Sequence, residues 1–275
     1  MTGWDAQLAL SFARRGDASM LARKSHRGPL VVQKMLHPEG PGVCQAIVVH
    51  PPGGIAGGDR LNLDIALGRN AHAQLTTPGA AKWYRSAGAT ASQTIAAKVA
   101  AGATLEWLPQ EMIVFAGARA ELATEIALEG DATFIGWDIV SLGRAASGER
   151  FDRGRYRQRI ELVRDGALLW AERTSLDAGD RVLASPAGLN GHPMFGTFVA
   201  AARSIAGDLL TACRSVAIDS TRGIEGAVTC LPGVLIARCR GASPEAARQW
   251  FAGLWQAVRP ALVGRAAVPP RIWNT

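Results

Sequence analysis

The sequence lacks any long uncharged apolar run. The best candidate, residues 195–218, is interrupted by Arg203, Asp208 and Arg214, so no membrane span is expected. Charged residues make up only 19% of the chain against 48% hydrophobic. That balance excludes a disordered or fibrous chain and is enough to bury a sizeable core. Cysteine is scarce: Cys44, Cys213, Cys230 and Cys239 form no CxxC pair and no dense framework. Reduced, buried thiols in a cytoplasmic protein fit this usage. The first twenty residues carry Asp5, Arg14, Arg15 and Asp17 and have no apolar leader core, so no signal peptide is expected.

Histidine and lysine are also thin. His26, His37, His50, His72 and His192 are scattered, with no i, i+2 or i, i+4 pairing. No tight zinc or nickel site is therefore expected, while weak, oxygen-rich, transient binding remains open. Lys24, Lys34, Lys82 and Lys98 are the only lysines, so arginine supplies most of the formal net charge of +7. A basic surface can meet nucleic acid, a membrane or an acidic protein. The modules that read nucleic acid are missing, so that partner is not expected.

What the chain has is turns and alternation. Gly 31 and Pro 14 exceed ordinary usage, which favours short elements joined by turns. From residue 43 to about 183, apolar side chains recur at every second position, as in Leu61, Leu63, Ile65 and Leu67 or Leu122, Thr124, Ile126 and Leu128. Each run reads as a strand. Gly68-Arg69-Asn70, Ala101-Gly102, Glu129-Gly130-Asp131 and Asp165-Gly166 separate the runs, and this close spacing argues for an all-β architecture. The last third differs. Phe198, Ala202, Ile205, Leu209 and Cys213 fall at helical spacing. Pro232-Gly233 marks a hairpin between 226–231 and 234–239. Ser243-Pro244 opens a second helix carrying Ala247, Phe251, Leu254, Trp255, Val258 and Leu262, which Pro260 is expected to end or kink. Residues 1–275 read as one domain, with a β body over about 28–190 and a helix–hairpin–helix segment over about 195–262 packed on it.

Three clusters invite chemistry. His50-Pro-Pro-Gly-Gly-Ile-Ala-Gly-Gly-Asp-Arg-Leu61 holds Gly53, Gly54, Gly57 and Gly58 within six positions. It is no phosphate loop: Gly-Lys-Ser/Thr is missing, and a strand follows where a helix N-terminus is needed. It reads as a tight strand connection, or as a loop that lets another protein or a buried polar path come close. Thr76-Thr-Pro-Gly-Ala-Ala-Lys-Trp-Tyr-Arg-Ser86 sets Lys82 and Arg85 around Trp83 and Tyr84, a structural loop, a cation–π surface or a stacking platform. In the third, Asp138 lies mid-strand between Trp137 and Ile139 and shares a face with Val140 and Leu142, so it should point inward; Glu172 before Arg173 is similar. A buried carboxylate is costly unless paired or cation-bound. Three readings stand open: salt bridges to Arg144 and Arg173, a polar channel, or an acid–base pair of a β-helix carbohydrate hydrolase, which requires both acids in one cleft. Arg153, Arg155, Arg157 and Arg159 alternate along one strand face, either a solvated edge or a dock for an acidic partner.

Together these clusters, with Leu105-Glu-Trp-Leu-Pro-Gln-Glu111, Leu142-Gly-Arg144, Ser147-Gly-Glu149, Pro270-Arg-Ile-Trp273 and Thr275, resemble the UreD (UreH) family of urease accessory proteins. The resemblance runs from Gly28-Pro29-Leu30 to the C-terminus. It implies a mainly β protein, a β-helix-like stack of strands with two α-helices in the C-terminal third. It also implies a non-enzymatic scaffold that joins UreF and the GTPase UreG, docks on the urease apoprotein and helps place nickel in its active site. No tightly bound cofactor is implied, only transient Ni²⁺. Carried over by position, Asp59, Asp138 and Glu172 match residues of an internal polar path for nickel. Gly53, Gly54, Gly57, Gly58, Lys82, Tyr84, Arg85 and Glu149 belong to the motif loops. Relatives often have Glu at Asp138 and a hydroxyl at Ala81. On this resemblance, Asp59→Ala or Glu172→Ala is expected to lower urease activation without affecting folding.

Overall fold

Alternation builds this protein from Asp5 onward. A computed structural model describes residues 3–274; Thr275, the last position of the terminal motif, lies outside them. A hairpin comes first, β1 (Asp5–Arg15) and β2 (Ala18–Arg27), followed by β3 (Val31–Val32) and β4 (Cys44–Val49). The chain then winds in coils. One coil is β5 (Arg60–Leu67), β6 (His72–Thr76) and β7 (Ala81–Trp83); the next is β8 (Ala91–Val99), β9 (Thr104–Trp107) and β10 (Met112–Val114). A third begins with β11 (Arg119–Leu128) and β12 (Thr133–Leu142), and β13 (Arg155–Arg164) and β14 (Ala167–Asp177) finish the stack. The remainder is a single turn α1 (Arg181–Ala184), β15 (Met194–Ala201), α2 (Gly207–Arg214), the hairpin β16 (Ile224–Leu231) and β17 (Val234–Gly241), and α3 (Pro244–Val263).

Strands of successive coils pair in parallel, which makes two main walls. The first wall runs β14-β13-β11-β8-β5-β1-β2, parallel from β13 to β1 and antiparallel at both ends. The second runs β16-β17-β15-β12-β9-β6-β4-β3. A short third wall forms where β10 pairs β7 and the C-terminal part of β12. This is the β-helix-like stack expected from the resemblance. In-register rows fill its interior: Leu8, Leu63, Ile95, Thr124 and Ile160 form one, and Leu10, Ile65, Ala97, Ile126 and Leu162 the next. All of them are buried, and each fully buried aliphatic side chain contributes about 1.5–3 kcal/mol of transfer free energy.

The second wall is covered on its far side by α2 and α3. Ile135, Trp137, Ile139 and Phe198 pack there against Phe251, Leu254 and Trp255. Strands β12 and β15 are therefore buried on both faces. Ser243 caps α3 by accepting the Ala246 N–H, with Pro244 in the first turn. Beneath α3 lies a buried ionic cluster. Glu106 accepts Trp255 Nε1 at 2.6 Å and Arg259 Nε at 3.1 Å, and meets His72 Nε2 at 2.5 Å. Arg259 also binds Glu39 through both terminal nitrogens, at 2.6 and 2.9 Å.

Three expectations need correction. The β body starts at Asp5, not near 28: Ala6, Leu8, Leu10 and Phe12 alternate inward in β1. Phe198 and Ala202 do not belong to a helix. Residues 194–201 form β15, whose side chains are nearly all buried, and such a strand loses its period of two; the helix is the shorter α2. Pro260 does not end α3, which runs on to Val263 and stops at Gly264, φ +69°.

Candidate functional site

The motif loops meet around one cavity of about 500 Å³. The His50–Leu61 loop is zipped onto the Thr76–Ser86 segment: Ile55 N–H donates to Lys82 O at 2.7 Å, and Tyr84 N–H to Ile55 O at 2.8 Å. Gly54 lies against the Tyr84 ring and Gly57 against Ser86, where a Cβ would collide. Gly53 and Gly58 turn the loop at positive φ. His50, Gly54, Lys82, Trp107, Gln110 and Asp138 are among the residues lining the cavity. Burial pushes the His50 imidazole down, and the nearby Asp59 carboxylate acts in the opposite sense.

Asp59 itself is a loop fastener. It is 2% exposed, and its two oxygens accept the Trp4 and Ala56 backbone N–H groups, each at 2.7 Å. The other motif residues form a linked exterior. Tyr84 packs edge-on against Phe115 with centroids 5.3 Å apart. Arg144 sits over Phe115 at 4.6 Å and binds Glu149 at 3.0 and 3.1 Å. The Arg144 hydrogen bond holds the Glu149 carboxyl below its usual range. Arg85 packs over Gly117. Trp83 is buried, so Trp83 and Tyr84 make no stacking platform.

Asp138 and Glu172 come together from opposite walls. Asp138 on β12, Thr197 on β15 and Arg238 on β17 are directly opposed, one transverse row across the second wall. Thr197 Oγ1 donates to Glu172 Oε1 at 2.8 Å, and Arg238 Nε donates to Glu172 Oε2 at 2.7 Å. From the first wall, Gln158 Nε2 donates to Asp138 Oδ2 at 2.8 Å. Burial, and then the charge of Glu172, push the Asp138 carboxyl up to about 7 against the opposing Gln158 hydrogen bond. Fully buried Tyr156 feels both acids; burial first, then their charges, raise its phenol.

Asp138 lines the first cavity, and Glu172 lines a second, more open groove of about 570 Å³ with Thr197 and Arg238. The two acids thus do not share the single cleft that a hydrolase pair requires. Neither forms the salt bridge anticipated from sequence: Arg144 serves Glu149, and Arg173 leans to Glu161 at 3.8 Å. Arg155 and Arg157 both pair with Asp177, and Arg159 with Glu125 and Glu161, so that strand face is largely self-neutralised. Sequence reasoning missed Gln158, Thr197 and Arg238, whose roles arise only from strand register. Among the described residues no helix is long and apolar enough to cross a membrane.

A family model described as UreD urease accessory protein matches residues 5–274. Urease accessory protein UreD of Pseudomonas fluorescens (strain Pf0-1) is 53% identical over 272 residues, covering 99% of this chain and 95% of the relative. The proteins of the same name from Dechloromonas aromatica (strain RCB) and Pseudomonas aeruginosa PAO1 are 54% and 55% identical, with the same coverage.

Proposed function

The chain belongs to the UreD urease accessory protein family, and we propose that it acts there as a non-enzymatic scaffold through which nickel passes. On this reading it assembles in the cytoplasm with UreF and the GTPase UreG, docks on apo-urease and hands Ni²⁺ toward the urease active site. The ion is cargo, held transiently by Asp138 and Glu172 in turn. The observation that carries the reading is the transverse row: Asp138 lines one cavity, Glu172 lines the other, and Thr197, opposed to Asp138 in strand register, hydrogen-bonds Glu172. Its donors are carboxylate, hydroxyl and amide oxygens. Such ligands solvate a late first-row cation more weakly than imidazole or thiolate, so the ion can move on.

The test is activation of apo-urease by UreF and UreG with and without this chain, beside co-purification of the complex. Asp138→Asn and Glu172→Gln should lower activation while UreF binding persists. Undiminished activation with both variants would sink the corridor; loss of UreF binding would make the acids structural instead.

A further inference from the structure

We propose that Arg238 is the release element at Glu172: a tethered cation that competes with the passing metal ion and limits how long the carboxylate keeps it. This rests on the corridor reading above. Glu172 is anchored on one side only by a neutral donor, the Thr197 hydroxyl, on Oε1. Its other oxygen, Oε2, takes both Arg238 Nε at 2.7 Å and Nη2 at 2.6 Å. The Glu172 side chain is 15% exposed and that of Arg238 is 56% exposed. The acid therefore lies near the floor of the open groove, and the guanidinium reaches down to it from the wet side.

The other arginines of this groove are engaged elsewhere. Arg240 binds Glu225 and the Pro186 and Gly188 carbonyls, and Arg173 leans to Glu161. Arg238 is thus the one that neutralises Glu172. Its site on the strand is fixed, because it is opposed to Thr197 in register, while its long side chain has the groove to swing into.

With its guanidinium half in water, this ion pair is weakened by solvent and opens more readily than a buried one. A divalent ion arriving from the Asp138 side meets the carboxylate with twice the charge of the guanidinium and repels Arg238 outward. When Arg238 returns, it reclaims Oε2 and the ion leaves into the open groove. Guanidinium keeps its charge at all working pH values, so this competition needs no proton.

The experiment measures equilibrium Ni²⁺ binding to the full chain by calorimetry, then delivery in the apo-urease assay. Arg238→Gln should bind Ni²⁺ about two- to fivefold more tightly, the factor set by one lost surface-pair competitor, and should activate urease more slowly. Arg238→Lys should restore weak binding and normal delivery, and Glu172→Gln added to Arg238→Gln should erase the gain. A purely structural Arg238 would lower thermal stability in Arg238→Gln without tightening Ni²⁺. Unchanged or weaker binding in Arg238→Gln, or a gain that survives Glu172→Gln, overturns the proposal. If Glu172→Gln alone delivers nickel normally, the corridor reading fails and this inference fails with it. If Glu172→Gln blocks delivery while Arg238→Gln matches the parent chain, only the role of Arg238 is lost.

Discussion

Gln158 on the first wall donates its side-chain amide to Asp138 on the second across 2.8 Å, and that contact ties the two walls together at the acidic row. It also fixes what pH does to this site. The Asp138 carboxyl lies near 3.8 in an unfolded chain and is pushed up to about 7 when folded. Between those values the unfolded chain releases a proton that the folded chain keeps, so the group's contribution to stability falls as pH rises and levels off above about 7. Asp138→Asn keeps an oxygen for Gln158 and removes the ionisation. Its gain over the parent chain should grow from pH 5 to pH 8. At about 1.4 kcal/mol per unit, the two pH units between 5 and the folded value set a ceiling of about 3 kcal/mol on that growth, and the interaction with Glu172 should leave about 1–2 kcal/mol. Urea unfolding at both pH values checks this; a difference that does not change with pH refutes it.

Glu106 has the opposite sign. Burial alone would raise its carboxyl, but the contacts with His72, Arg259 and Trp255 outweigh that and hold it below the ordinary range. The stability it contributes is present above the ordinary carboxylate range and is lost as pH falls through the lowered folded value. Glu106→Gln leaves Arg259 buried without one of its two carboxylates and should cost about 3–5 kcal/mol. The neighbouring Trp255 offers a fluorescence readout of α3 coming loose during denaturation.

Asp59 should separate from Glu172 in its effects. Asp59→Ala removes the acceptor of two part-buried hydrogen bonds, those from the Trp4 and Ala56 N–H groups; water can reach these donors, so the cost should be about 0.5–1.5 kcal/mol for each bond. The loop over 50–61 should then be cut faster in limited proteolysis, and any fall in urease activation should follow that loosening. Lost activation with normal stability and unchanged proteolysis would return Asp59 to the nickel path.

Trp273 pins the C-terminal segment to the second motif. Its Nε1–H donates to Thr76 Oγ1 at 2.9 Å, and its ring lies 5.7 Å from that of Trp137 and 5.9 Å from that of Trp255. Trp273→Ala should cost about 2–4 kcal/mol. Trp273→Phe keeps an aromatic ring and loses mainly the hydrogen bond, about 1 kcal/mol. Equal losses in thermal unfolding would show that the stacking carries little.

The strands were legible because the period of two is a local property. Leu61, Leu63, Ile65 and Leu67 alternate inward in β5, and any one-sided strand announces itself in this way. Alternation also showed that Asp138 shares a face with Val140 and Leu142, but β12 is buried on both faces, so only the stacking decided which face looks into the coil; the glycine loop was recognisable from its four closely placed glycines. Residues 194–201 were misread because a strand buried on both faces carries no alternation to read. Register is not local. Nothing within Gln158, Thr197 or Arg238 or their neighbours in sequence says that they meet Asp138 and Glu172, and nothing near Glu106 announces Arg259, which is 153 positions away. Local pattern alone was enough for most one-sided strands, for the turns and for the family. Which acid fastens a loop, which acids approach each other and which arginine closes on Glu172 were settled by the fold. Those outcomes depend on how coils stack, and a one-residue slip in that stacking would turn every one of these side chains to the other face.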